Sequence, residues 1–172
     1  MPASSRLGSL IDRLSRLHAA ARRRPGLSDA QLSALDYLDQ ANAFSRSPSA
    51  VADYLDATRG TVSQTLRALA RKDLIVAAED PADRRSLRYD LTAKGRAMLR
   101  TRTELADHGG TLEAALGDLV ARMIAARGGR SFGICGTCRF HQVLEDGSHR
   151  CGLLGLALAV PETTRICREH AA

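Results

Sequence analysis

Four cysteines are concentrated near the C-terminal end of this 172-residue chain, and none occurs among its first 134 residues. Three lie in the stretch SFGICGTCRFHQVLEDGSHRC, at 131–151, and the fourth lies in RICREH. They are Cys135, Cys138, Cys151 and Cys167, separated in turn by two, twelve and fifteen residues. Thiolates bind zinc and iron–sulfur clusters, and paired thiols form redox-active disulfides. The spacing therefore predicts a site of one of these kinds.

Three interpretations of the cysteines remain open. An iron–sulfur cluster needs four thiolates, and the isolated third and fourth cysteines favour it over a symmetrical zinc ribbon. Structural zinc would pair Cys167 with His170 as Cys-x-x-His and complete its four ligands from the other cysteines. A thiol–disulfide switch without metal would use Cys135 and Cys138. In each case Gly136 is expected to allow the tight turn between the first two thiols.

The preferred cofactor is an iron–sulfur cluster, 4Fe-4S or 2Fe-2S, with zinc as the alternative. His170 is the reserve ligand, and His141 and His149 are further candidates. Apolar residues between the last two cysteines could shield a cluster from water or pack on a dimer partner; they are Leu153, Leu154, Leu156, Leu158 and Val160. Four unrelated buried cysteines are the plain alternative, which the clustering in a tail of 38 residues disfavours.

Composition indicates an anionic partner, and the absence of export signals indicates a location inside the cell. The net charge is +6 and the isoelectric point about 9.7, with 25 lysines and arginines, nearly all of them arginine. Arginine suits phosphate and base-edge contacts because its planar fork pairs bidentately. No apolar run is long enough for a bilayer, and the N-terminal segment lacks the apolar core of a secretory signal. We therefore expect a cytoplasmic protein without membrane contact, whose cysteines are kept reduced.

Periodicity and capping signals predict a mainly helical domain ahead of the cysteines. Ser28 and Gln31 have the spacing of a capping box, Ser47 is a candidate N-cap before Pro48, and Thr58 is a candidate N-cap one short turn later. The predicted helices cover residues 7–22, 28–41, 48–55, 59–71, 93–108 and 111–127. Residues 74–92 alternate as a strand, a turn with a basic tip and a second strand.

The two short helices around Thr58 form a helix-turn-helix candidate whose second helix has two distinct faces. Val62, Leu66 and Leu69 lie on the side expected to face the core. The opposite side is small, polar or basic and is expected to read DNA in the major groove. Its candidate contact residues are Arg59, Thr61, Ser63, Gln64, Arg67 and Arg71. A helical core with a solvated arginine face is the alternative.

The stretch TRGTVSQTLRALARKDLIVAAEDPADRRSLRYDLTAKGRAML resembles the DNA-binding region of MarR-type winged-helix transcription regulators. The likeness covers residues 7–127 in element order and is specific mainly over 47–100. In the wing motif of that family an Asp, an Arg two residues later and a closing Leu-Thr recur. They match Asp83, Arg85, Leu91 and Thr92, whereas Tyr89 departs from the usual Leu.

The resemblance implies a homodimer that places two recognition helices on a pseudo-palindromic operator in double-stranded DNA. The first helix and the last two would pack against the partner subunit. In the wing, Asp83 would position Arg85 while Arg84 or Arg85 enters the minor groove. The cysteine-bearing tail departs from the family pattern, which suggests that it receives the input signal.

Together these features predict a mainly α protein with a small β-hairpin, in two parts. Residues 1–130 form the winged helix-turn-helix with dimerisation helices from both ends, and 131–172 form a metal-binding extension. The expected function is a transcription regulator, not an enzyme, that senses redox or iron state through its cluster. One alternative keeps the regulator but gives it structural zinc and a small-molecule effector in the dimer cleft. The other is a thiol redox protein or electron carrier.

Overall fold

A computed structural model of the chain describes residues 3–79, 87–99 and 110–171, with side chains from Arg6 onward. The helices are α1 (Ala3–Arg22), α2 (Asp29–Gln40), α3 (Pro48–Tyr54), α4 (Arg59–Arg71), α5 (Ala93–Leu99), α6 (Thr111–Ala126) and the short α7 (Val160–Thr163). The strands are β1 (Ile75–Glu79), β2 (Leu87–Leu91), β3 (Gly133–Ile134), β4 (His141–Val143), β5 (His149–Cys151), β6 (Leu156–Leu158) and β7 (Ile166–Cys167). Within these described ranges no helix is both long and apolar enough to cross a membrane.

The starts of three helices follow from local hydrogen bonds. Ser28 and Gln31 form the full capping box at the start of α2. The Ser47 hydroxyl accepts from Ala50 N at 3.2 Å before α3, and the Thr58 hydroxyl accepts from Thr61 N at 3.2 Å before α4. Each side chain satisfies an amide that has no partner inside its helix. The predicted helix starts are thus confirmed.

The core of the winged helix lies between α2, α3, α4 and the β1–β2 hairpin. Val62, Leu66 and Leu69 of α4 are buried there, as their spacing predicts. The hairpin is antiparallel with Ile75 opposite Leu91. A mainly helical winged helix-turn-helix with a small hairpin is therefore confirmed. The wing tip and the predicted extension of α5 beyond Leu99 lie outside the described residues.

Helices α1 and α6 bury little in the single chain. Their apolar stripes stay exposed, at Leu7, Leu10, Ile11, Leu14 and Leu17 in α1 and at Leu112, Leu116, Val120 and Met123 in α6. The α6 helix has no buried residue at all. Contiguous apolar surface of this kind normally marks an interaction site.

The extension is built from very short strands. β3 pairs with β7, and β4, β5 and β6 form an antiparallel sheet in that order. Its buried residues are Cys135, Leu158 and Cys167, with Phe44 and Cys151 packed beside them. None of these strands was predicted from the sequence, because strands of two or three residues are too short to show an alternating pattern.

The extension docks on residues 41–47, which we call the junction loop, between α2 and α3. Ala41 forms a parallel bridge with Ile166, and Asn42 N donates to Ile166 O at 2.8 Å. Ala43 N donates to the Glu162 carboxylate at 2.7 Å. The cysteine-bearing segment is therefore attached directly to the loop that leads into the helix-turn-helix.

Candidate nucleic-acid interface and cysteine site

The outward face of α4 has the chemistry expected of a DNA-reading surface. Arg59, Thr61, Gln64, Arg67 and Arg71 are exposed, opposite the buried face of the same helix. The helix contains three arginines and no acidic residue. Nothing of opposite charge on α4 competes with DNA for these side chains.

Three of the predicted contact residues form side-chain hydrogen bonds in α4 or with its N-cap. Arg67 Nη2 donates to the hydroxyl of the half-buried Ser63 at 2.8 Å. The hydroxyl of Thr61 lies 2.9 Å from that of the N-cap Thr58. Side chains held in this way lose less conformational freedom when a ligand binds.

The strands of the wing are joined to the junction loop. Arg46 Nη1 lies 2.7 Å from Asp90 Oδ1 in β2, and Tyr89 N donates to Arg46 O at 3.0 Å. Asp83, Arg84 and Arg85 lie at the wing tip, outside the described residues, so their roles stay predictions.

Two of the cysteines, Cys135 and Cys138, flank one turn, whereas Cys151 and Cys167 lie in two different strands. Cys135 opens a 3-10 turn, Cys135–Thr137, and its carbonyl accepts from Cys138 N at 3.1 Å. Cys167 is paired with Gly133 across β3 and β7, and Cys151 ends β5. All four thiols are free.

Gly136 is required here for a different reason from the one predicted. Its backbone is not in the positive-φ region that tight turns need. Instead, a Cβ at this position would lie 2.9 Å from Thr163 O. Close packing of the Cys135–Thr137 turn against α7 therefore selects glycine.

The thiols lie close enough to influence one another. Burial, followed by the nearby charges of Cys167, Cys151, Cys138 and Glu162, raises the pKa of Cys135 to about 11. Burial also raises the pKa of Cys167, against hydrogen bonds from Asn42, the Glu169 backbone and Ser45. Gathering several thiolates without a compensating cation is unfavourable, and a bound metal would reverse that balance.

The donor set fits zinc or an iron–sulfur cluster in type, though its arrangement is not closed. None of the four thiols is in a disulfide, and two of them are buried. Across the described parts of the chain, however, no group of three or more His, Cys, Asp and Glu side chains is placed to hold a metal ion. The other three thiols are near enough to raise the pKa of Cys135. Metal binding would nevertheless have to bring the four thiols closer together.

The histidines have partners other than the thiols. His170 Nε2 lies 3.1 Å from the Thr137 hydroxyl. His141 Nε2 lies 3.0 Å from His149 Nδ1, with the two rings stacked. Because these histidine nitrogens already have partners, the cysteine thiols are the preferred candidate metal ligands.

The expected apolar shield is mostly absent. Leu158 is buried beside Cys135 and Cys167. By contrast, Leu153, Leu154 and Val160 are 47%, 39% and 65% exposed. They fall in a turn and at the start of α7, so most of the run faces outward. Phe44 of the junction loop covers the cysteines instead.

Sequence reasoning missed three residues beside the site. Asn42 and Ser45 face Cys167 from the junction loop, and Arg168 follows Cys167 in the chain. Arg168 Nη2 lies 2.5 Å from Asp53 Oδ2, and Nη1 lies 3.3 Å from the Ser49 hydroxyl. From the sequence, Asn42 could be predicted only to lie near the end of a helix. No local pattern predicts that it lies near a cysteine more than a hundred residues away.

Comparisons with known proteins agree with this geometry. The MarR family model matches residues 26–86. A MarR transcriptional regulator from Methanosarcina mazei Go1 has a TM-score of 0.54 and 21% identity, covering 72% of this chain and 98% of that chain. The PcaV transcriptional regulator from Streptomyces coelicolor, solved in complex with its natural ligand, has a TM-score of 0.52 and 21% identity, covering 74% and 97%.

A mutant of MepR from S. aureus has a TM-score of 0.51 and 20% identity, covering 74% of this chain and 85% of that chain. No protein with a curated description matches the sequence significantly. At these identities the solved structures establish the fold, and the family model covers the helix-turn-helix and the first wing strand. Residues 26–86 therefore match the MarR family model, and the chain has the winged-helix fold of these solved structures.

Proposed function

We propose that this protein is a homodimeric regulator that binds a pseudo-palindromic operator in double-stranded DNA and senses redox or iron state. The sensor is an iron–sulfur cluster held by Cys135, Cys138, Cys151 and Cys167. The observation that carries the proposal is the packing of the buried Cys135 and Cys167 with Cys151, and of Cys138 one turn from Cys135, in an extension docked on the helix-turn-helix.

DNA reading is assigned to the exposed face of α4. Gln64 can pair bidentately with adenine, and Arg59 or Arg67 with guanine. Thr61 and Ser63 suit a phosphate or a base edge. The support for this assignment is the exposure of a basic face that has no acidic residue on its helix.

Dimerisation is assigned to α1 and α6. Their exposed leucines, isoleucine, valine and methionine form apolar surface that a single chain leaves in water. Burying such surface against a second copy is favourable at about 25 cal/mol per Å² of apolar area. A two-fold dimer would present two α4 helices to successive major grooves.

When bound, the cluster would supply a redox- and oxygen-labile centre. This chain's own residues would do the rest: four thiolates hold the centre, Phe44 and Leu158 limit access of water, and the junction loop links it to the DNA-binding helices. Loss or oxidation of the centre would shift the populations of two conformations that differ in DNA affinity.

Anaerobic purification tests the proposal. We expect brown protein with visible absorption that Cys151→Ala abolishes. DNA selected from a random library should then bind loaded and cluster-free protein with different affinities, measured by fluorescence anisotropy. A colourless protein with stoichiometric zinc would rule out the iron–sulfur sensor.

A second candidate is a regulator with a structural zinc site and a small-molecule effector in the dimer cleft. It is favoured by the turn that joins Cys135 and Cys138 between two short strands, an arrangement that suits zinc knuckles. Operator binding and effector response that are the same in loaded and metal-free protein would support this candidate.

A further inference from the structure

The junction loop contains the buried polar side chains of the described structure. Asn42 and Ser45 are each 1% exposed. Buried polar groups cost free energy unless they have hydrogen-bond partners. Their partners therefore indicate what these residues do.

Both residues contact the chain neighbours of Cys167. Asn42 N donates to Ile166 O at 2.8 Å, and the Ser45 hydroxyl oxygen accepts from Arg168 N at 2.9 Å. Phe44, which lies between them in the junction loop, packs against the cluster of Cys135, Leu158 and Cys167. The winged helix thus holds the residues on both sides of Cys167.

Arg168, the next residue, holds α3. Its guanidinium lies 2.5 Å from Asp53 in the last turn of that helix and 3.3 Å from Ser49 in the first. The ion pair is mostly shielded, with side-chain exposures of 19% and 31%. Since α3 packs on α4 in the helix-turn-helix, a shift of Arg168 would move α3 and, with it, the proposed recognition helix α4.

The same loop also contacts the wing. Arg46 donates to Ala41 O through Nε at 3.1 Å and Nη2 at 3.0 Å, and its third nitrogen binds Asp90 in β2. The loop is thereby held between the extension on one side and both DNA-contacting elements on the other.

From this juxtaposition we propose that Cys167 couples the cysteine site to the helix-turn-helix of its own chain, through Asn42 and Ser45 to the junction loop and through Arg168 to α3. The inference rests on the proposed metal or cluster site. When that site gains or loses its occupant, Cys167 is repositioned, and Ile166 and Arg168 move with it because they are its chain neighbours.

The test compares DNA affinity between loaded and metal-free protein, as a ratio for each variant. Arg168→Leu removes the link to α3, and Asp53→Asn weakens the same link from the far side, away from the thiols. Arg150→Leu is the matched control, because it makes the same charge change at an exposed arginine of the extension. Iron and zinc content and the visible spectrum confirm loading of each variant.

We expect a wild-type ratio of about 5-fold or more, as is typical of allosteric coupling. Arg168→Leu and Asp53→Asn should load normally with ratios near one, and Arg150→Leu should keep the wild-type ratio. Amide hydrogen exchange over residues 48–54 should change on loading in wild type and in the control, but not in the two link variants.

Each other result is decisive. Link variants that load and keep the wild-type ratio overturn the coupling route and leave the proposed function intact. If Arg168→Leu fails to load, Asp53→Asn decides the question alone. A wild-type protein that holds neither iron nor zinc, or whose DNA affinity ignores loading, overturns the proposed sensing and this inference with it.

Discussion

The winged helix and the extension differ sharply in what holds them together. In the described residues, the winged helix has a contiguous core of sixteen buried residues, whereas the extension buries three, two of which are cysteines. A segment of about forty residues seldom folds on apolar burial alone and usually needs a metal or disulfides. The difference implies that the first region is stable by itself and that the second depends on its thiols and on docking.

Cys151→Ser should produce the largest difference in stability between the winged helix and the extension. With one proposed ligand lost, the extension should lose protease resistance, while the winged helix keeps its own. Limited proteolysis with mass spectrometry would show cleavage within 131–171 and survival of the preceding fragment. An extension that stays protected in this variant would break the comparison.

Gly95→Ala should instead destabilise the winged helix. A Cβ at Gly95 would lie 2.0 Å from the backbone oxygen of Leu74, so α5 would have to move away from Leu74, the residue before β1. Overpacking of this kind costs about 1–3 kcal/mol of unfolding free energy. Gly60→Ala is the control: its Cβ meets only the Thr58 hydroxyl at 3.9 Å, and it should be neutral or stabilising by up to about 1 kcal/mol. Urea denaturation measures both, and equal stabilities would contradict the packing argument.

Arg67→Ala should affect function without affecting either core. Removal of a DNA-contacting arginine costs about 1–3 kcal/mol of binding, roughly 5- to 150-fold in affinity. The side chain is exposed, so the melting temperature should stay unchanged. Anisotropy titrations at fixed salt would check the binding. Unaltered affinity would point to the solvated-face interpretation of α4.

Alkaline pH should produce the smallest effect, of which the Cys135 thiol accounts for one part. The pKa of Cys135 is raised from 9.0 to about 11, so the folded state keeps a proton that the unfolded state releases. The stabilisation is full below pH 9 and is lost as pH rises towards 11. Urea unfolding of metal-free protein across this range should show a steeper decline for wild type than for Cys135→Ala. Parallel declines would mean that the Cys135 thiol is not shielded.

Sequence predicted those features of the fold that have local causes. The caps at Ser28, Ser47 and Thr58 and the buried stripe of α4 are set by residues a few positions apart, and all were confirmed. The position of Gly136 was predicted as special, but its reason is tertiary contact with Thr163.

The contacts between regions could not be predicted in this way. Asn42 and Cys167 are brought together by docking, and neither residue type signals the other. For the same reason the outward direction of Leu153 and Val160 is visible only once the turn between β5 and β6 is known. Whether all four thiols bind one centre stays a prediction.

The aromatic contact at the docking surface has a practical consequence. The chain has no tryptophan and three tyrosines. Two of these tyrosines, Tyr37 and Tyr54, stack at 4.4 Å between ring centroids, and both meet Phe132 edge-on at the start of the extension. Ultraviolet emission from the unlabelled protein should therefore come largely from this contact. The molecule carries its own optical reporter of whether the extension is seated.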